Sequence, residues 1–403
     1  MIAKQQDKQP RRTALVVLVE QPGGAHAQRG RSRNDEACSP SDEQTDLFVE
    51  RYRTRTDNPQ QDFDFLELVI ADGFSIGRVM KLNVRRVSPK TFFGRGQAAE
   101  IAQAIRAQNP ACVVTNAQLS PVHQRNLEEQ WDAPIMTRAD IIFDIFEQNA
   151  TTSEGRIQVD LARLNYELPR IVGVGKELSR TGGDRGTRGG GGEPLTVLTK
   201  DRIRKRIRRL ENELEKVKRA RALRRKKRVK SRVFTIGLIG YTNSGKSSLI
   251  NALTRSEEEV APRYFTTLDP AARRIYLGNG IEAIMTDTVG LLDDFPEELT
   301  TAFSATIEEV AESDLLLHIV DVARDNVEFR IESGVRILSE VGLSGIPHIV
   351  IFNKIDLLDN CATLAILQEE YSPSLAISTI TGEGLPELTS ILRERVSERV
   401  KEY

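Results

Sequence analysis

The pattern of apolar and polar residues predicts alternating strands and helices over residues 62–150. Apolar runs predict strands at 76–84, 111–115 and 135–136, and helical spacing predicts helices near 65–70, 101–105, 120–131 and 141–146. This alternation is typical of a small α/β domain. Residues 1–61 are mostly polar and contain one apolar run at 14–19, so they predict a variable segment with one possible strand.

Residues 151–232 change to the spacing of packed helices. Apolar residues three or four positions apart form one stripe over 157–168 and a second over 203–217. Two helices with matching stripes predict an antiparallel hairpin. The stretch 173–199 between them is rich in glycine and predicts a long loop.

The second helix of this hairpin is strongly basic. Residues 200–232 hold 18 Lys and Arg against four acidic residues, although the formal net charge of the chain is only -1. A charged helix is usually a solvated face, but a surplus of this size favours contact with a polyanion such as an RNA backbone. The candidate RNA-contact residues are Arg185, Arg188, Arg224, Arg225, Lys226 and Lys227.

Strands and helices alternate again over residues 233–403. The predicted strands are 233–239, 273–277, 281–286, 315–320, 346–351 and 375–377, with helices near 301–312, 326–341 and 385–400. This order predicts an α/β fold with a doubly wound, mostly parallel sheet, whose ligand loops lie at the carboxyl ends of the strands. The predicted domains are therefore 1–61, 62–150, 151–232 and 233–403.

The first strand of the last domain leads into a glycine-rich loop. Its sequence is Gly240-Tyr241-Thr242-Asn243-Ser244-Gly245-Lys246-Ser247. This G-x-x-x-x-G-K-S pattern between a strand and a helix predicts a P-loop, because its glycines let backbone N–H groups turn toward phosphates. Lys246 is expected to reach the β- and γ-phosphates, and Ser247 to bind Mg²⁺.

Two further segments fit the metal and γ-phosphate side of such a site. The first is Asp287-Thr288-Val289-Gly290, where Asp287 is expected to hold Mg²⁺ through water and Gly290 to meet the γ-phosphate. The second is Phe265-Thr266-Thr267-Leu268-Asp269, which occupies the place of a switch loop. The Thr267 hydroxyl can close over Mg²⁺ there when the γ-phosphate is present. The predicted catalytic residues are Lys246, Thr267 and Gly290.

A later segment predicts which base is bound. Asn353-Lys354-Ile355-Asp356 follows an apolar strand. Asp356 can accept hydrogen bonds from guanine N1–H and the 2-amino group, a donor pair that adenine lacks, so the segment favours GTP over ATP. Asn353 and Lys354 are expected to brace the base and the P-loop. The segment Ser378-Thr379-Ile380 is expected to lie behind guanine O6.

Composition narrows the cellular context. The three cysteines, Cys38, Cys112 and Cys361, are far apart, and the four histidines are scattered, so neither a disulfide framework nor a zinc site is predicted. No apolar run reaches the roughly 18 residues that a membrane helix needs. The N-terminus lacks the pattern of a signal peptide. We therefore expect a cytoplasmic protein, and heptads of this length fit an internal hairpin in a monomer.

These motifs together resemble the HflX family, which belongs to the Obg–HflX superfamily of translation-factor-class P-loop GTPases. The resemblance rests on segments 240–247, 265–270, 287–290 and 353–356, and on F-G-R-G at 93–96, L-S-P-V-H-Q-R-N-L-E at 119–128, D-I-F at 144–146 and G-R-I-Q-V-D-L-A at 155–162. It implies a GTPase that binds the large ribosomal subunit and acts in splitting or rescue of ribosomes under stress. It also implies that the loop of the helical linker reaches the peptidyl-transferase region.

The chain departs from common GTPase patterns in several places. Leu291 follows Gly290, where many GTPases carry a Gln that orients the attacking water, so we expect slow hydrolysis that a partner stimulates. The resemblance implies K⁺ as a candidate second cation, because an Asn at the position of Asn243 is associated with K⁺ in related GTPases. The loop at 188–193 has Gly for the usual Pro, and Thr379 replaces the usual Ala.

Two other functions remain open. One is an RNA-remodelling protein whose N-terminal half has its own ATP-dependent activity, which the lack of a readable second Walker motif in residues 1–232 disfavours. The other is a signalling GTPase that acts on a non-ribosomal protein. Ribosome co-sedimentation that depends on the nucleotide would separate this last function from the ribosomal one.

Overall fold

The structure is a computed structural model. It describes residues 12–20, 59–150, 152–181, 192–230, 233–254, 272–287, 310–311, 313–324, 326–340, 342–358 and 362–401. The chain divides into two compact units, one formed by residues 1–145 and 164–205 and the other by residues 146–163 and 206–403.

A four-stranded parallel sheet lies in the first unit. Its strands are β1 (Arg12–Glu20), β2 (Phe74–Asn83), β3 (Cys112–Thr115) and β4 (Ile135–Thr137), in the order β2-β1-β3-β4. The helices that accompany them are α1 (Pro59–Ala71), α2 (Arg95–Gln108), α3 (Pro121–Trp131) and α4 (Arg138–Asn149). The predicted alternation of strands and helices is therefore confirmed in this part of the chain.

Strand β1 is an interior strand of this sheet and does not belong to a separate N-terminal segment. The sequence indicated one possible strand at 14–19 within a variable segment, but β1 pairs with β2 on one side and β3 on the other. Ala14 to Leu18 are fully buried. Five consecutive apolar residues are typical of a strand that is covered on both faces, which explains the interior position.

Capping residues set both boundaries of α3. Ser120 precedes the helix with extended backbone angles, and its hydroxyl accepts a hydrogen bond from the His123 N–H at 3.2 Å. Pro121 occupies the first turn, where a missing N–H has no cost. The helix ends at Asp132, which is left-handed with φ of 51°. The local sequence therefore fixes both ends of this helix.

Two long helices, α5 (Ser153–Thr181) and α6 (Gly192–Lys230), follow. The prediction of a loop over 173–199 is wrong for residues 173–181 and 192–199, because α5 and α6 continue into this stretch. Pro169 lies inside α5 and does not end it. Residues 182–191 lie outside the described residues.

The apolar stripe of α6 is buried at its three central residues and half-buried at both ends, whereas that of α5 is only half-buried. Ile207, Leu210 and Leu214 are each 8% exposed. On α5, Val159 and Ala162 are buried, whereas Ile157 and Leu161 of the predicted stripe are only half-buried. Arg206 of α6 forms an ion pair with Asp160 of α5 at 2.9 Å. The contact face of α5 is therefore rotated by one to two residues from the face that the heptad spacing predicted.

A six-stranded sheet forms the core of the second unit. Its strands are β5 (Thr235–Ile239), β6 (Ala272–Gly278), β7 (Ile281–Thr286), β8 (Leu315–Asp321), β9 (His348–Asn353) and β10 (Ser374–Ala376). They follow the order β10-β9-β8-β5-β7-β6, and every pair is parallel except β6 with β7. The mostly parallel, doubly wound sheet that the sequence predicted is thus confirmed.

The helices of this sheet are α7 (Lys246–Thr254), α8 (Val327–Glu340), α9 (Ala362–Glu370) and α10 (Leu385–Lys401). The sequence predicted α8 and α10 but not α9, which is short and has no distinct apolar face. The helix expected near 301–312 falls almost wholly outside the described residues.

Strand β8 is buried along its whole length. It includes His318, which is fully buried and has no hydrogen-bond partner for either ring nitrogen among the described residues. Burial, together with nearby His348 and Lys246, lowers the pKa of His318 to about 4. Gly334 of α8 lies against this ring, and a Cβ at that position would come within 2.5 Å of Cε1. The glycine therefore lets α8 pack closely on β8.

Candidate nucleotide-binding site

The loop between β5 and α7 depends on glycine at two positions. Gly240 has φ of 148° and Gly245 has φ of 97°, both in the region that favours glycine. A Cβ on Gly240 would lie 2.2 Å from the Ile319 carbonyl oxygen, and one on Gly245 would lie 2.1 Å from Asn353 Nδ2. The loop can therefore pass this close to β8 and β9 only with glycine at both positions.

Lys246 is held in place by the loop itself. Its Nζ donates to the carbonyl oxygen of Gly240 at 2.9 Å and to that of Tyr241 at 2.7 Å. An ammonium group has three N–H donors, so one remains for a phosphate oxygen. Burial lowers the pKa of Lys246 to about 8, and the nearby carboxylate of Asp287 opposes this shift. The carbonyl groups of the loop thus orient the side chain.

The oxygen donors for a metal ion meet beside this lysine. The Ser247 hydroxyl, at the start of α7, donates to Asp287 Oδ2 at 2.9 Å. Asp287 follows β7 and is 3% exposed, and β7 is the parallel neighbour of β5. A hydroxyl and a carboxylate are hard oxygen ligands, which is the type that Mg²⁺ prefers. The residues present therefore fit a magnesium ion.

The base motif is tied to the phosphate loop. Asn353 ends β9, is fully buried, and donates from Nδ2 to the Ser244 carbonyl oxygen at 2.8 Å. Its Oδ1 accepts from the Thr379 N–H at 3.3 Å. One amide side chain thus joins the P-loop, the end of β9 and the loop after β10, as expected for a brace between the base and phosphate ends of a nucleotide site.

The other residues of the base end have different surroundings. Lys354 has φ of 68° and donates from Nζ to Asp321 Oδ2 at 2.7 Å. Asp356 lies in a short 3-10 helix (Ile355–Leu357) and is exposed, so its carboxylate is accessible to a base. Ser378 is fully buried, and its Oγ accepts from the N–H groups of Ile380 and Thr381 at 3.2 and 3.0 Å. These bonds shape the loop that was expected behind guanine O6.

Several predicted site residues lie outside the described residues. They are the segment 265–269, residues 288–290 with Leu291, and Arg185 and Arg188. Arg224, Arg225, Lys226 and Lys227 fall within the backbone of α6. The described part of the site thus brings together the P-loop, Asp287, Asn353 to Asp356 and Ser378 to Ile380.

Sequence reasoning missed three residues that contact this site. Asp321 accepts from Lys354, and it could have been found because it ends an apolar strand at the same edge of the sheet as the other motifs. Arg324 lies in the loop after β8, and its Nε is 3.8 Å from Asp321 Oδ2. Arg330 lies over the ring of Tyr241. The sequence carries no pattern that would have indicated either arginine.

The sheet and the order of these motifs define a P-loop GTPase. Models of three protein families match consecutive parts of the chain, described as GTP-binding GTPase N-terminal over residues 63–147, GTP-binding GTPase Middle Region over 149–228 and 50S ribosome-binding GTPase over 235–354. The chain thus contains a nucleotide domain of this class and two regions that occur with it.

Curated relatives identify the family. The GTPase HflX of Caldanaerobacter subterraneus is 39% identical over 73% of this chain and 68% of its own length. That of Magnetococcus marinus is 37% identical over 84% and 78%, and that of Escherichia coli K12 is 36% identical over 89% and 84%. The chain therefore belongs to the HflX family of GTPases, and it binds and hydrolyses GTP. Among the described residues, no helix combines the length and apolarity that crossing a bilayer requires.

Proposed function

We propose that this GTPase is a nucleotide-controlled factor that binds the large ribosomal subunit and acts in splitting or rescue of ribosomes under stress. The observation that carries the proposal is the basic helix α6, which ends at Lys230, five residues before the strand that leads into the P-loop. The description of the matching family as a 50S ribosome-binding GTPase supports the same partner. In this proposal the protein acts in the cytoplasm as a monomer.

In the proposed nucleotide site, Lys246 binds the β- and γ-phosphates and Asp356 binds the guanine edge. The two carbonyl contacts of Lys246 support its role, because they hold the ammonium at the P-loop with one N–H remaining for a phosphate oxygen. Ser247 and Asp287 would hold Mg²⁺, Asp287 through water, and Thr267 would join them when GTP is bound. When bound, the ion would supply positive charge that stabilises the transferred phosphoryl group.

Slow hydrolysis in the free protein follows from the residue after Gly290. Leu291 has no polar group that could orient the attacking water. We therefore assign Gly290 and Thr267 to sensing of the γ-phosphate, and we assign acceleration to the ribosome. GTP would order these segments, permit binding to the large subunit, and be hydrolysed there to GDP and phosphate.

We also propose that Asn243 assists a potassium ion beside the phosphates. Its support is the position of the side chain, which is exposed within the P-loop at a residue with φ of 60°. Turnover of GTP by the wild-type protein should then be faster in KCl than in NaCl, and Asn243→Ala should remove the difference. Equal turnover of the wild type in the two salts would contradict the potassium site.

The ribosomal proposal is tested by GTP turnover with purified ribosomal subunits. Large subunits should raise turnover, because they would order the segments around Thr267 and Gly290, whereas small subunits should not. Lys246→Ala serves as the control for contaminating GTPases, since it removes the phosphate ligand and should abolish stimulated turnover.

A further inference from the structure

Arg330 of α8 makes a shielded contact with the P-loop. It lies in the first turn of α8 and is only 9% exposed. Its Cζ lies 4.9 Å from the centroid of the Tyr241 ring, which is the distance of a cation–π contact. Tyr241 is itself 6% exposed, so the contact is largely shielded from water.

Tyr241 connects this contact to the phosphate-binding lysine. Its carbonyl oxygen accepts from Lys246 Nζ at 2.7 Å, the shorter of the two bonds that hold the ammonium. The same oxygen accepts from the Ser244 N–H at 3.3 Å. A displacement of the Tyr241 backbone would therefore move the carbonyl that orients Lys246 and would loosen the turn of the P-loop. A side chain that anchors the ring restricts such a displacement.

Arg330 lines a small cleft that also contains a residue bonded to the base motif. The small cleft beside the P-loop is lined by Tyr241, Thr242, Asp321, Arg324 and Arg330. Asp321 contacts Arg324 at 3.8 Å and Lys354 of the base motif at 2.7 Å. The end of β8 and the start of α8 thus contact the phosphate loop through Arg330 and the base motif through Asp321.

We propose that Arg330 is a positioning residue for Lys246. By holding the Tyr241 ring against α8, it fixes the Tyr241 carbonyl and thereby directs the remaining N–H of the Lys246 ammonium toward the phosphates. Arg330 does not touch the nucleotide in this proposal. Its effect is on affinity for the β- and γ-phosphates, and the guanine contacts of Asp356 are independent of it.

Two substitutions and a matched control test the proposal. Arg330→Gln keeps most of the length but removes the charge, whereas Arg330→Lys keeps the charge. Arg336→Gln removes an exposed arginine from the same helix, where its guanidinium donates to the neighbouring Ser333 hydroxyl. Affinities for GTP, GDP and GMP are measured by displacement of a fluorescent GDP, and melting temperatures are recorded in parallel.

We expect Arg330→Gln to lower the affinity for GTP and GDP about tenfold, which is the effect of removing a shielded cation–π interaction. Affinity for GMP should stay unchanged, because GMP lacks the β- and γ-phosphates that Lys246 is proposed to bind. Arg330→Lys should recover most of the affinity, and Arg336→Gln should match the wild type. An equal decrease for GMP and GTP, or a lower melting temperature with unchanged GTP affinity, would overturn the proposal.

A second variant keeps the test decisive if Arg330→Gln does not fold. Tyr241→Leu removes the ring that Arg330 contacts. It should therefore lower the affinity for GTP and GDP by a similar factor and leave the affinity for GMP unchanged. On that background, Arg330→Met, which also removes the charge, should have no further effect on GTP affinity, because the two residues act through one contact. Independent decreases from Arg330→Met and Tyr241→Leu that multiply in the double variant would contradict the proposal.

Discussion

At the scale of single residues, the site is organised by side chains that connect one motif to another. Asn353 bonds to Ser244 and Thr379, and Lys354 bonds to Asp321. The motif residues themselves could be predicted, because their spacing and their places after strands are visible in the sequence. Asp321 could also have been found, because it ends an apolar strand at the same edge of the sheet. Arg330 could not, because its partner Tyr241 is far away in the chain and only the folded sheet brings the two together.

Asp356 provides a direct test of base recognition. Xanthine keeps the N1–H donor of guanine but carries a carbonyl in place of the 2-amino group. Asp356→Asn should therefore weaken GTP binding by about 100-fold or more, because the variant cannot form the charged hydrogen bonds to guanine. The amide can donate to the xanthine carbonyl, so the variant should gain hydrolysis of xanthosine triphosphate.

Hydrolysis rates with the two triphosphates check this prediction, with Glu383→Gln as the control. Glu383 is an exposed acid in the nearby loop after β10, and its substitution should leave the preference for GTP unchanged. Wild-type GTP hydrolysis by Asp356→Asn would show that another group recognises the base.

At the scale of elements, apolar runs predicted the strands well, whereas the buried face of one helix was predicted less well. Strands β7 and β8 were predicted within one residue at either end, because each is a mostly apolar run in the interior of the sheet. The face of α5 was predicted less well. Gln158, Val159 and Ala162 are buried there. A heptad rule counts only large apolar residues, so it could not register a face that is built partly from a polar and a small side chain.

The basic helix α6 carries a prediction at this scale. Arg202, Lys205 and Arg208 are exposed on it. If α6 contacts ribosomal RNA, replacement of these three with Gln should weaken large-subunit binding and make it less dependent on salt. For every phosphate that the variant no longer binds, the slope of log affinity against log salt should decrease by about 0.7 to 0.9.

Binding of the labelled protein to large subunits at several KCl concentrations measures this slope. The control replaces Arg274, Arg336 and Arg395, three exposed arginines outside α6, and removes the same total charge. An identical change of slope in the two triple variants would indicate a general charge effect and would exclude α6 as the RNA contact.

At the scale of the whole molecule, charge is distributed unevenly along the chain. The net charge is -1, yet residues 200–232 carry 18 basic and four acidic residues. The GTP site lies in the sheet that follows directly. Composition and motif spacing change near residues 150 and 233, and the family matches are divided near the same places. The interior position of β1 could not be predicted, because it depends on pairing with strands that lie far along the chain.

The central claim is that the large ribosomal subunit controls this GTPase, and multiple-turnover GTP hydrolysis measures it most directly. Turnover is recorded for the protein alone, with large subunits, with small subunits, and with large subunits plus Lys246→Ala protein. The account predicts slow hydrolysis alone, an increase of about tenfold or more with large subunits only, and no turnover by the variant. Unchanged turnover with large subunits, or equal stimulation by both subunits, would contradict it.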